Sequence, residues 1–284
     1  MIQFEEELKR RIQVVDDFVQ RYFSSMELPK GAAITELKES MLYSAGMGGK
    51  RFRPVLALLV GELFSCPSSL ILPFATAVEL IHTYSLIHDD LPCMDDDDVR
   101  RGKPTNHKVY GETVALLAGD ALLTEAFLLP AREYKENGFL VAQLCEILSR
   151  AAGLRGMVGG QAIDLKASKL TVEELTHLHN LKTGRMIQVA AEGAAVIASA
   201  SPKEIESLAK FGEYLGLAFQ VADDILDHNE KDQEPRSFVG LIGIEGAQKY
   251  LQEISEKALK ELHRIPQRSA ILEHMIEFNR VRQK

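Results

Sequence analysis

The chain has 284 residues, 46% apolar and 26% charged, a balance that excludes disorder, collagen-like repeats and small disulfide scaffolds. Its 41 acidic against 33 basic side chains leave a net charge of −8, which argues against nucleic acid as a partner, because counterion release needs a basic surface. Cys66, Cys93 and Cys145 show no C-x-x-C spacing, so neither a disulfide framework nor a thiolate zinc site is indicated. From the N-terminus, Phe4, Leu8, Ile12, Val15, Val19 and Tyr22 recur at steps of three and four and predict an amphipathic helix. That segment is charged from Glu5 onward and has no signal-peptide run. Further helices are predicted over 33–46, 53–64, 70–91, 113–135, 139–152, 172–198, 203–228, 245–264 and 267–282. Thr171 with Glu174 and Ser201-Pro202 with Glu204 supply capping boxes for two of them. No strand-like alternation, linker or repeat interrupts the pattern, so the expectation is one all-α domain, a helical bundle over 1–284. No run approaches about 18 uninterrupted apolar residues, and a cytoplasmic protein without stable membrane insertion is expected.

Two acid sets stand out. Asp89, Asp90, Asp95, Asp96, Asp97 and Asp98 follow an apolar helix whose end would favour a cation. Far along the chain, Gln220, Asp223, Asp224 and Asp227 occupy i, i+3, i+4 and i+7 of a helix that is otherwise apolar. Carboxylates so crowded repel by roughly 1–4 kcal/mol per pair, which a divalent cation would offset. Oxygen-only donors suit magnesium better than zinc, and magnesium held by few carboxylates implies a phosphate-bearing substrate. A solvated acidic loop is the alternative for the first set, and structural ion pairs for the second.

Cations that could meet phosphate lie in Gly48-Gly49-Lys50-Arg51-Phe52-Arg53-Pro54 and in Arg100, Arg101 and Lys103 after the first acid set. Neither stretch has the spacing of a nucleotide P-loop, and a basic turn is often plain surface. His82 lies two helical turns before Asp89, where a satisfied core histidine is the plain alternative. Lys182, in Lys182-Thr183-Gly184, sits in an apolar stretch and asks for an anion unless it snorkels to the surface.

With these residues the chain resembles the short-chain trans-isoprenyl diphosphate synthases. The resemblance rests on G-G-K-R-F-R-P at 48–54, Asp89-Asp90-x-x-x-x-Asp95 with Arg100-Arg101-Gly102, Gly119-Asp120, Gly159-Gly160-Gln161 with Asp164, Lys182-Thr183-Gly184, and Gln220-x-x-Asp223-Asp224-x-x-Asp227. It implies an all-α fold around a deep central cavity, a homodimer, and three magnesium ions per active site. Asp89, Asp95 and Asp223 are then metal ligands, with Asp90, Asp224 and Asp227 supporting the metals or their waters. Lys50, Arg53, His82 and Arg101 would hold isopentenyl diphosphate. Arg100, Lys182 and Gln220 would face the allylic diphosphate, and Thr183 and Gln220 the carbocation left when that diphosphate departs. The whole scheme needs both acid sets to serve one diphosphate.

In this family the helix before the first acid set closes the floor beneath the growing product. Tyr84 is bulky and Ser85 small, and at about 1.5 Å per residue Tyr84 lies roughly 7–8 Å along the helix from Asp89. An aromatic there resembles bacterial farnesyl diphosphate synthases, whereas Asp89-Asp90-Leu91-Pro92-Cys93-Met94-Asp95 also resembles plant geranylgeranyl synthases. The expected product is the farnesyl chain. After Asp227 the chain is shorter than the family pattern and lacks its diphosphate-binding lysine, leaving Lys231 and Arg236 to take that place. This departure motivates a second reading, a regulatory subunit; a terpene cyclase is a third, which would not need Lys50, Arg53 and His82.

Overall fold

The structure, a computed structural model, describes residues 2–228 and 236–281. Among the described residues the regular elements are helices and one minimal hairpin, as the missing alternation led one to expect. They form two compact units, one of residues up to Leu58 with Ser68–Cys145, the other of Leu59–Pro67 with the chain from Glu146 onward.

The first unit holds α1 (Ile2–Ser24), α2 (Ala32–Ala45), the start of α3 (Phe52–Leu63), α4 (Ser68–Asp89), α5 (Asn106–Tyr110), α6 (Glu112–Glu133) and the start of α7 (Gly138–Ala152). Apolar nearly all round, α4 is the core helix, with Phe74, Val78, Leu80 and Ile81 fully enclosed. Pro73 interrupts its hydrogen-bond ladder, and the Tyr134 hydroxyl fills in, accepting from Phe74 N–H at 3.2 Å and donating to the Leu70 carbonyl at 2.6 Å. By length and composition both α4 and α6 could cross a membrane, but α4 is apolar because it is buried, whereas α6 leaves Leu116, Leu117 and Leu128 exposed. β1 (Val99–Arg100) and β2 (Lys103–Pro104) pair antiparallel. Arg101 and Gly102 between them both have positive φ, as a two-residue hairpin turn requires.

The second unit contains α8 (Met157–Asp164), α9 (Val172–His179), α10 (Arg185–Ile197), α11 (Pro202–Asp227), α12 (Phe238–Leu262) and α13 (Ala270–Val281). Leu175, Leu217, Val221, Phe238, Leu251 and Ile254 join α9, α11 and α12 in one apolar cluster. Both capping boxes form as expected. The helix predicted over 172–198 is present from Val172 to Ile197 and carries a π-helical turn at Asn180–Gly184. One expectation needs correction. The helix predicted from 245 is preceded by a further turn, from Phe238, that meets it at Gly243 with φ of 72°. The short helices α5 and α8 were not foreseen; neither N-cap residue, Thr105 or Gly156, makes a side-chain cap.

Candidate active site

In the first unit α4 ends at Asp89, and the chain then wraps so that Asp95 N–H donates to the Asp89 carbonyl at 2.8 Å. This bond satisfies a carbonyl of the helix end and roots both carboxylates in one turn. Asp90 instead points inward and is 3% exposed. Arg100 Nε donates to it at 2.7 Å, and its Nη2 lies 2.6 Å from the same oxygen. Burial pushes the Asp90 carboxyl above its ordinary value against the pull of this guanidinium. Arg100 also reaches Asp97 at 3.4 Å, so the residue expected to face an allylic diphosphate is engaged by two carboxylates of its own loop. Sequence reading missed His107, whose ligand atom lies with those of Asp96 and Asp98 within 4.8 Å of one another, an arrangement that could hold a metal ion.

Positive charge gathers beside this turn. Gly48 and Gly49 have φ of 76° and 126°, and a Cβ on Gly49 would stand 2.6 Å from Arg101 Cζ. The same guanidinium donates to the Gly48 carbonyl, which fastens the hairpin tip to the glycine loop. Arg53, half-buried in the first turn of α3, is pulled down to about 10 by burial and by the nearby charge of Arg101, against Glu79. Burial and the charges of Arg53, Arg101, Arg100 and Arg51 hold the His82 imidazole well below its ordinary value. Thus Arg53, His82 and Arg101 share one electropositive region, while Lys50 is exposed on the loop. Tyr84 is buried with its ring edge-on to His88, and burial with the Asp89 charge pushes its hydroxyl up to about 12. Ser85 is half-buried and donates to the His82 carbonyl at 2.9 Å. Gly119 on α6 makes the space for His88, since a Cβ there would fall 2.1 Å from its Nε2.

In the second unit the π-turn displays Lys182 and Thr183. Lys182 Nζ donates to Asp164 at 2.6 Å, and Arg236 donates to the Asp164 carbonyl at 3.0 Å with its guanidinium 3.7 Å from the carboxylate. Thr183 Oγ1 donates to Gln220 Oε1 at 2.9 Å. Backbones meet closely here: a Cβ on Gly160 would lie 2.4 Å from Lys182 N, and one on Gly216 would lie 2.9 Å from Gly184 Cα. Asp223 and Asp224 are half-buried and Asp227 is exposed. Asp224, expected to support metal, accepts the first amide of α12, Phe238 N–H, at 2.7 Å. His179, also missed, stacks on Phe238 with both ring nitrogens buried and unpartnered, and burial pulls it down to about 4. Lys231 lies outside the described residues.

Asp89 and Asp95 in one turn, with Asp223 in the second unit, offer only carboxylate oxygens, the donor chemistry that magnesium takes. A family model described as Polyprenyl synthetase matches residues 34–236. The farnesyl diphosphate synthase of Geobacillus stearothermophilus is 40% identical over 96% of both chains. A chloroplastic geranylgeranyl pyrophosphate synthase of Catharanthus roseus is also 40% identical, over 80% of this chain and 68% of its own. Among solved structures, an apo FPP/GFPP synthase from Zymomonas mobilis superposes with a TM-score of 0.88 at 34% identity, covering 97% of this chain and 99% of that one. With that match over most of its length, the chain belongs to the polyprenyl synthetase family.

Proposed function

We propose that this chain is a magnesium-dependent trans-prenyltransferase that condenses isopentenyl diphosphate head-to-tail with dimethylallyl or geranyl diphosphate, giving mainly farnesyl diphosphate. The observation that carries this reading is that Arg101, on the hairpin that follows the turn of Asp89 and Asp95, is fastened to the glycine loop that leads through Lys50 to Arg53. A protein that only ionised one diphosphate would have no use for a second anion site.

In this reading Asp89, Asp95 and Asp223 would hold magnesium, three ions with substrate bound, and the metal would supply Lewis-acid charge to the allylic diphosphate. The C–O bond of that substrate breaks and leaves an allylic cation. Thr183 commits its hydroxyl proton to Gln220, so its oxygen is free to turn lone pairs toward the cation. Lys50, Arg53, His82 and Arg101 orient isopentenyl diphosphate so that its double bond attacks the cation. The resulting cation loses a proton to the departed diphosphate, and the new double bond forms. Lys182 faces the allylic diphosphate, and Arg236, which like Lys182 is held on Asp164, stands in for the family's diphosphate-binding lysine. Tyr84, buried below Asp89 with Ser85 beside it, limits the product.

Both units act as one catalytic domain, working in the cytoplasm as a homodimer, and Leu116, Leu117 and Leu128 on α6 are the apolar surface a second copy would cover. Geranylgeranyl diphosphate is the second reading for the product, favoured by relatives such as the Catharanthus roseus enzyme. Purified protein incubated with magnesium, labelled isopentenyl diphosphate and geranyl diphosphate tests the reading. Farnesyl diphosphate is expected; an unchanged substrate pool, or a hydrocarbon product, overturns it.

A further inference from the structure

Of the three cations in the glycine loop, Arg51 alone is fully enclosed, at 2% exposure. Its backbone takes a φ of 43°, in the left-handed region that side chains other than glycine rarely occupy. That twist sends the guanidinium inward, where each of its nitrogens meets a different helix. Nε donates to Asp16 on α1 at 2.8 Å, Nη1 to Glu79 on α4 at 2.7 Å, and Nη2 to the carbonyl of Ala45, the last residue of α2, at 2.5 Å. Glu79 is 3% exposed in an otherwise apolar stretch and lies one helical turn before His82.

A guanidinium whose three nitrogens are all engaged is ill placed to clasp an anion. It is well placed to hold one point of a loop against three helices, because the planar fork fixes direction as well as distance. Lys50 precedes that point, and Arg53 follows it by two residues. We infer that Arg51, with Glu79 as its buried counter-charge, is a positioning residue that sets the glycine loop for isopentenyl diphosphate without touching it. The inference rests on the assignment of Lys50, Arg53, His82 and Arg101 to that substrate.

Removing one member of a buried pair strands the other charge and endangers folding. The test therefore uses the double variant Arg51→Met/Glu79→Gln, which removes both charges of the buried pair and leaves only the half-exposed Asp16, and Asp16→Asn, which weakens that third arm. Titration calorimetry with magnesium measures isopentenyl diphosphate and geranyl diphosphate separately on the full chain. Expected for isopentenyl diphosphate is a rise in Kd of about tenfold or more in the double variant and about threefold in Asp16→Asn. Kd for geranyl diphosphate should stay within about twofold, and KM for isopentenyl diphosphate should rise while kcat at saturation holds. Equal losses for both ligands, or none for isopentenyl diphosphate, overturn the inference. Where circular dichroism finds the double variant unfolded, Asp16→Asn decides. Wild-type protein that binds both ligands yet forms no product refutes the proposed reaction and leaves the binding comparison intact.

Discussion

Thr183 on the π-turn and Gln220 on α11 share a hydrogen bond of 2.9 Å, with the threonine as donor. Two residues far apart in the chain thereby fix each other's polarity: the proton faces the amide, and the hydroxyl oxygen keeps its lone pairs for another partner. Gln220→Leu removes the acceptor and lets the hydroxyl turn. Turnover should fall by about 10- to 100-fold, with KM for isopentenyl diphosphate little changed. Steady-state kinetics with product chromatography checks this, and unaltered kcat would remove the pair from the chemistry.

Asp89→Ala should lower turnover by about 100-fold or more, because charge on the departing diphosphate loses its metal. Magnesium titration of the activity is the measurement. Near-normal turnover at ordinary magnesium would mean that the turn closed by Asp95 N–H is not the metal site.

The ring of Tyr84 is buried against His88. Tyr84→Ala should lengthen the products toward the geranylgeranyl chain. It should also lower stability by about 3–5 kcal/mol, as large aromatic truncations in cores do. Chromatography of chain lengths and urea denaturation separate the two effects; an unshifted product distribution would clear Tyr84 of any part in limiting length.

Gly160→Ala places a methyl 2.4 Å from the backbone nitrogen of Lys182, where no flexible group can step aside. A loss of about 1–3 kcal/mol follows from overpacking of this kind. Thermal unfolding measures it, and a variant as stable as wild type would show that the π-turn yields easily.

His179 is held at about 4 by burial, against an ordinary value of 6.5. Between those values the unfolded chain binds a proton that the folded chain refuses. The contribution is therefore complete above about pH 6.5 and is lost as pH falls toward 4. His179→Phe retains an aromatic ring to stack on Phe238 but cannot titrate. From about pH 7 to about pH 5 the urea midpoint of wild type should fall further than that of the variant; parallel falls would rule out His179 as the sensitive group.

The helices and both acid sets could be read from sequence because they rest on local signals: periodicity, capping boxes, and carboxylates too crowded to be incidental. The partners of those carboxylates could not. Asp90 meets Arg100 and Asp224 caps α12, and both bonds depend on where the chain turns after a helix ends. The π-turn escaped notice because Asn180–Gly184 keeps helical periodicity almost intact. Glu79 left a faint trace, a lone acid in an apolar helix, but its partner Arg51 read as one more cation of a surface turn.

Gly216 and Gly184 meet with no room for a methyl between them, whereas Gly138 looks onto open space. Evolutionary drift here is consequently one-sided: a larger side chain at Gly216 survives only if the backbone at Gly184 has already retreated, while one at Gly184 asks only the Asn180 carboxamide, 3.2 Å away, to give way. Gly138 can be replaced in one step. Descendants of this chain should therefore keep Gly216 for as long as they keep the π-turn, whatever becomes of Gly184.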